Sequence, residues 1–183
     1  MHGIIHKALK DMVIKEFGIE RWENIEAAVA PSSDVYISMQ GYSDDITYGL
    51  IGATSQELGE SVETCLELFG QYWLLEAAPG SYADILDATS DQLIGFIGNI
   101  NSLHDRIIST FPKYVPPEFY IENLGGERYQ VNYVSTRKGL CHFVIGLLKG
   151  LGIRFNRELV IESYEPVACE SGEEWAFIIK VPE

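Results

Sequence analysis

In the stretch YVSTR, Tyr133, Ser135 and Arg137 sit at alternate positions. Alternate residues of a strand share one face, so a phenol, a hydroxyl and a guanidinium line up in a row. Such a row is a set of hydrogen-bond donors for an anion, and an arginine can grip a carboxylate through two parallel N–H bonds. Tyr129 and Val131 continue the same face towards the core. An inward guanidinium without a partner is costly. The pattern therefore predicts an acid for Arg137, either internal (Asp44 or Asp45) or supplied by a bound ligand. Five N–H donors on one arginine allow both.

The second candidate is His104. From Asp91 the apolar residues Leu93, Ile97, Ile100, Ile107 and Phe111 recur at helical spacing, with Phe96 and Leu103 beside them. His104 falls on that stripe, four residues after Ile100. An imidazole there needs a partner: a backbone carbonyl or carboxylate if it is a core residue, a metal if it is a ligand. One histidine cannot build a zinc site, which takes about four ligands. It can hold a heme iron, because the porphyrin supplies the equatorial donors. The two propionates of a heme would suit the donor row.

Other chemistry-bearing residues are read as bystanders. Cys141, Cys169 and His142 offer at most three ligands for zinc, one short of a site. Cys141 and His142 are helix neighbours and do not face each other as nucleophile and base. His2 and His6 read as partly exposed positions of the opening helix. The acidic runs YSDD and CESGEE read as cap and turn chemistry.

The elements that position these residues follow from period and punctuation. Helices are expected over 3–17 (stopped by Gly18), 20–29, 43–58 (capped at SDD, stopped by Gly59), 61–78 (ended by Pro79-Gly80), 82–88, and from Asp91 to near Pro112. PSSD at 31–34 is loop chemistry. After Pro116-Pro117 the pattern changes to strands at 118–123 and 128–136 around Gly125-Gly126, a helix at 138–150, and strands at 158–164 and 174–181 around the turn 170–173. This is an α+β fold: an N-terminal helical subdomain plus a C-terminal antiparallel sheet with a packed helix, and a cleft between them for a ligand. The 183 residues suit one domain, and 46% hydrophobic residues can fill a core. A net charge of −14 argues against nucleic acid as a partner. Lys7, Lys10 and Asp11 break the opening apolar run, which excludes a signal peptide or inserted span there. Three cysteines without a secretory signal point to the cytoplasm.

The segments NSLHDRI (101–107), FPKYVPPEF (111–119), YVSTRKGL (133–140) and VIGLLKGLG (144–152), in this order and spacing, resemble the heme nitric oxide/oxygen-binding (H-NOX) family, which includes the heme domain of the soluble guanylate cyclase β subunit. MHGIIHKALKDMV (1–13) and FGQYW (69–73) are similar to its opening helix and a distal helix. The resemblance covers essentially the whole chain. It implies one heme b held between a distal helical subdomain, 1–62, and a proximal heme-binding subdomain, 63–183. His104 becomes the iron's axial ligand. Tyr133, Ser135 and Arg137 become the propionate-binding motif, Asp44 the acid paired with that arginine, and Pro117 the residue that presses on the porphyrin and distorts it. Ile5, Leu9, Trp73, Phe143 and Val144 line the distal, gas-binding side.

Oxygen-binding members of that family carry a distal tyrosine. Alignment on Gly146 puts Phe143 there, which has no O–H. Counting from Arg137 instead reaches His142, about 100° round the helix. Trp73 can donate from its indole or fill space. The resemblance thus implies a non-catalytic cytoplasmic sensor of nitric oxide, with carbon monoxide as a second ligand. Loss of the bond to His104 would free its helix and signal to a separate partner, such as a histidine kinase or a cyclic-di-GMP enzyme. The other readings are an O2-binding module and a protein-interaction domain without heme.

Overall fold

Among the described residues, seven α-helices and one four-stranded sheet follow one another in the order the sequence predicts. The computed structural model describes residues 1–29, 36–38, 40–110 and 115–182. The expected loop at 31–34 and the expected helix end near Pro112, with Phe111, lie outside the described residues.

Helices α1 (Gly3–Phe17), α2 (Ile19–Val29) and α3 (Asp44–Leu58) form the first part. Ser43 caps α3 by accepting from the Asp45 N–H, and Gly59 ends it in the left-handed conformation. Their apolar faces meet in a core of Leu9, Met12, Val13, Trp22, Ile25 and Leu50. His6 is a correction: it is fully buried here, not partly exposed. Its Nε2 lies 2.7 Å from the Thr47 hydroxyl, and Tyr36 and Tyr42 stand edge-on to its ring. A helical position next to polar partners can go inside, and position on α1 alone does not reveal partners 41 residues away.

Helix α4 (Val62–Tyr72) is capped by Ser61, as its hydroxyl accepts from the Thr64 N–H. The expected stop at Pro79-Gly80 does not occur. The chain widens into a π-helical turn, Trp73–Ala77, and runs on as α5 (Ala78–Asp87), with Pro79 in the first turn of α5. The first turn tolerates a residue that lacks an N–H, so the proline redirects the helix rather than ending it. Tyr82, with φ −139° and ψ 27°, kinks α5.

Helix α6 (Leu93–Thr110) carries the apolar stripe, with Leu93, Phe96, Ile97 and Leu103 buried. The strands are β1 (Glu118–Gly125), β2 (Arg128–Ser135), β3 (Val160–Val167) and β4 (Glu173–Lys180), all antiparallel in the order β1-β2-β4-β3. Helix α7 (Cys141–Arg154) and α6 pack on one face of the sheet, in a second core with Val131, Phe177 and Ile179. Helices α4 and α7 touch backbone to backbone. A Cβ on Gly70 would lie 2.2 Å from the Phe143 carbonyl oxygen, and one on Gly146 would lie 2.2 Å from that of Glu67. Glycine at both positions lets the two helices meet without a side chain between them.

Candidate functional site

A cavity of about 800 Å³ lies between the two cores, inside the range of roughly 300–1,000 Å³ usual for cofactor sites. His104 and Ile97 of α6, Trp73 of the π-helical turn, Ile5 of α1, Phe143 and Val144 of α7, and Tyr133 of β2 all line it. Most of its wall is apolar, and the polar groups are few and specific.

His104 reaches the cavity one turn beyond Ile100. Its Nδ1 is 3.0 Å from the Pro117 carbonyl, so Nδ1 carries the proton that this carbonyl accepts and Nε2 keeps its lone pair. Burial holds the imidazole below its ordinary pKa, against a smaller upward pull from the Pro117 carbonyl. Neutral imidazole with its other nitrogen fixed by a carbonyl is the form that ligates metals. Asn101, three residues earlier on α6, had no signal in the sequence reading. Its amide donates to the Phe119 carbonyl at 2.8 Å and accepts from the Phe119 N–H at 2.9 Å. That two-point clamp fixes the start of β1, and with it the peptide that His104 bonds.

Tyr133, Ser135 and Arg137 all line the cavity, but not as one strand row. Strand β2 ends at Ser135, so Arg137 stands in the bend beyond it rather than on the strand. The Ser135 hydroxyl accepts from the Arg137 N–H at 3.1 Å and turns the chain there. Tyr133 is buried at 2% exposure. Burial pushes its phenol up to about 12, so it stays a donor. The predicted acid is Asp44: Arg137 Nε donates to it at 3.0 Å, and Arg137 Nη1 donates to the Val115 carbonyl at 2.9 Å. Asp44 also accepts from the Met1 ammonium at 2.5 Å. Burial alone would raise the Asp44 carboxyl, but that ammonium and the Arg137 charge bring it below its ordinary value. Val115, Pro117, Ser135, Arg137 and Asp44 all line the cavity.

On the expected distal side, Ile5, Trp73, Phe143 and Val144 line the cavity. Leu9 does not. It is 1% exposed and packs in the first core with Met12, Val13 and Leu50. One helical turn past Ile5, about 6 Å along the axis, the same face of α1 already looks at α2 and α3. His142 is turned away from the cavity: Nδ1 lies 3.0 Å from a Glu67 carboxylate oxygen, and its ring stands edge-on to Tyr164. His2, read from the sequence as a partly exposed position of the opening helix, lines the cavity, as does Tyr42, which the sequence reading did not single out. The Tyr42 hydroxyl accepts from the Ile37 N–H at 3.0 Å.

Among the described residues no three His, Cys, Asp or Glu side chains group as a metal site. Cys141 is buried while Cys169 is exposed, and burial pushes the Cys141 thiol up to about 12, far from the thiolate that zinc needs. The donors at the cavity fit a heme instead. They comprise the His104 imidazole, fixed and neutral, a set of donors for carboxylates, and apolar walls for a flat macrocycle.

Residues 2–163 match the family described as "Haem-NO-binding". Soluble guanylate cyclase 89Db of Drosophila melanogaster is 23% identical over 155 residues, which are 85% of this chain and 23% of that protein. Soluble guanylate cyclase gcy-32 of Caenorhabditis elegans is 27% identical over 157 residues, covering 84% and 23%. The chain thus spans less than a quarter of the length of either relative. The fold also matches solved structures. An H-NOX protein from S. oneidensis in the Fe(II)NO ligation state aligns with a TM-score of 0.85 at 22% identity, over 100% of both chains. The Fe(II) unliganded H-NOX protein from K. algicida aligns with a TM-score of 0.82 at 26% identity, over 100% of this chain and 97% of that one. With the family match running over nearly all of the sequence and the α+β architecture in agreement, the chain belongs to the Haem-NO-binding, or H-NOX, family.

Proposed function

We propose that the chain is a heme-based gas sensor selective for nitric oxide, with no catalysis of its own, that acts on a separate partner. One observation carries this reading: a fixed neutral imidazole and a row of carboxylate donors open into the same apolar cavity. His104 would take the iron through Nε2. Tyr133, Ser135 and Arg137 would hold the propionates, with Asp44 keeping Arg137 in place. Pro117 would press on the porphyrin, and Ile5, Trp73, Phe143 and Val144 would wall the gas side, with Leu9 backing Ile5. When bound, the heme supplies reversible ligation of a diatomic gas at ferrous iron. The family resemblance points to heme b, and the sequence has no C-x-x-C-H motif for covalent c-type attachment.

Selectivity would rest on the position where oxygen-binding members of the family carry a tyrosine. Phe143 has no donor, and His142 is engaged by Glu67, so bound oxygen would lose the hydrogen bond that stabilises it. Nitric oxide and carbon monoxide do not need that bond. Oxygen binding is the second reading because three donor-bearing residues, His2, Tyr42 and Trp73, line the same cavity.

Signalling would use the chain's own linkages. His104 bonds the segment 115–119 at Pro117, Arg137 bonds it at Val115, and Arg137 also bonds Asp44 on α3. A displacement of α6 therefore reaches the distal unit, 1–62, from the proximal unit, 63–183. A conformational preference of a few kcal/mol is enough to switch a partner. A histidine kinase or a cyclic-di-GMP enzyme in the cytoplasm fits that role. All three cysteines are free, and among the described residues no helix is long and apolar enough to cross a membrane.

Absorption spectra of the purified ferrous protein test the proposal. The expected result is a Soret band without gas, a shift on adding nitric oxide, and no stable change under air. A stable oxygen complex would replace selectivity for nitric oxide with oxygen binding. A protein that takes up no heme would leave only a protein-interaction role.

A further inference from the structure

The bend that delivers Arg137 to the cavity is held by a side chain from the far end of the sequence. Residues 136–140 connect β2 to α7 and carry Arg137 on one side and Leu140 on the other, both cavity-lining. Gly139 has φ +78° and Leu140 has φ −101° and ψ 7°. A left-handed residue followed by a right-handed one turns successive N–H groups inward, a backbone nest that binds anions. The start of α7 adds its positive dipole end. The anion in this nest is Glu173, the first residue of β4. One of its oxygens accepts from the Gly139 N–H at 2.8 Å and the other from the Leu140 N–H at 3.0 Å. Leu140, the residue at the cap position, offers no side-chain bond of its own. The sheet delivers Glu173 by pairing it with Ser135. Gly172 lets that turn close in, since a Cβ there would lie 2.0 Å from the Ser135 carbonyl oxygen.

We propose that Glu173 is a positioning residue for the donor row: seated in the Gly139–Leu140 nest, it sets the bend that aims Arg137 into the cavity. It touches neither the cavity nor a bound heme and acts through Arg137. The inference rests on the heme reading given above.

The test uses the heme-loaded protein, with Glu173→Ala and Glu173→Gln made alone and in an Arg137→Ala background. The rate of heme loss to excess apomyoglobin is the main readout. Glu173→Ala should speed heme loss about tenfold, the scale of one charge-assisted hydrogen bond, and Glu173→Gln should do so by less. In the Arg137→Ala background, further loss of Glu173 should change the rate less than about twofold, because coupled residues are not additive. An equal acceleration in both backgrounds, or none in either, overturns the proposal. If Glu173→Ala does not fold, Glu173→Gln carries the same comparison. The amide proton shifts of Gly139 and Leu140 read the nest without reference to heme. Both should move in Glu173→Gln, and unchanged shifts would mean that the carboxylate is not seated there. A wild-type protein without a Soret band would instead sink the heme reading, while these shifts still decide the seat.

Discussion

In the roles proposed for them, His104 and Arg137 make opposite demands on the residues around them. An iron ligand must be neutral and held by its far nitrogen; a carboxylate donor must stay charged without being neutralised by its partner. The Pro117 carbonyl meets the first demand. The second is met by sharing Asp44 with the Met1 ammonium and giving one Arg137 nitrogen to Val115. His104→Gly should lose the imidazole-ligated heme spectrum, and adding imidazole should restore it. An unchanged spectrum would place the ligand elsewhere. Burial pushes His6 down to about 4 from an ordinary value of 6.5, with the Met1 ammonium also lowering it and Asp44 raising it. The unfolded chain therefore binds a proton at this residue that the folded chain does not as pH falls below about 6.5. His6 thus withdraws stability between about pH 6.5 and 4, at a slope of about 1.4 kcal/mol per unit at most. Urea midpoints measured from pH 7 to 5 should fall more steeply in the wild type than in His6→Gln. Equal slopes would show that the folded imidazole accepts a proton. Among single residues, His104, Tyr133, Ser135 and Arg137 stand out by type and period, but type and period leave a core histidine and an internal ion pair equally open, and their proposed heme roles come from the family resemblance. Asp44 is legible only as one of two acids. The burial of His6 and the clamp at Asn101 are not, since each depends on a partner at least 18 residues away.

At the scale of elements, the joints matter more than the helices and strands. Asn101 ties α6 to β1 through two bonds to one residue, and Asn101→Ala should cost about 1–2 kcal/mol, the worth of two neutral hydrogen bonds. Asn101→Asp keeps the acceptor but sets a carboxylate against the Phe119 carbonyl, so it should recover little. Chemical denaturation of both variants decides this. Gly70→Ala puts a Cβ into the backbone of α7 and should cost about 1–3 kcal/mol, read as a lower urea midpoint with an unchanged slope. An alanine tolerated without loss would mean that the two helices separate easily. Periodicity predicts each of these helices, with ends that move by a few residues: α6 begins at Leu93 and α7 at Cys141. It misses the π-helical turn and the passage through Pro79 because both are settled by what α4 and α5 pack against. The start of α7 is equally invisible locally, since the group that finishes it, Glu173, arrives from β4.

For the whole molecule, the cavity is a joint property of the two cores. The sequence reading reaches it by recognising two polar constellations that need one ligand between them. The geometry adds that Trp73 packs against both cores and that α4 and α7 meet without cushioning side chains. The walls of the cavity run from Met1 to Leu151, and the Asp44–Arg137 pair closes a span of 93 residues. During synthesis the helical first part can emerge and collapse early. The pocket cannot, because its floor and lid come off the ribosome at opposite times. Loading with pigment is therefore a late event, and cells short of heme should accumulate a chain whose first core has formed around an unfinished centre.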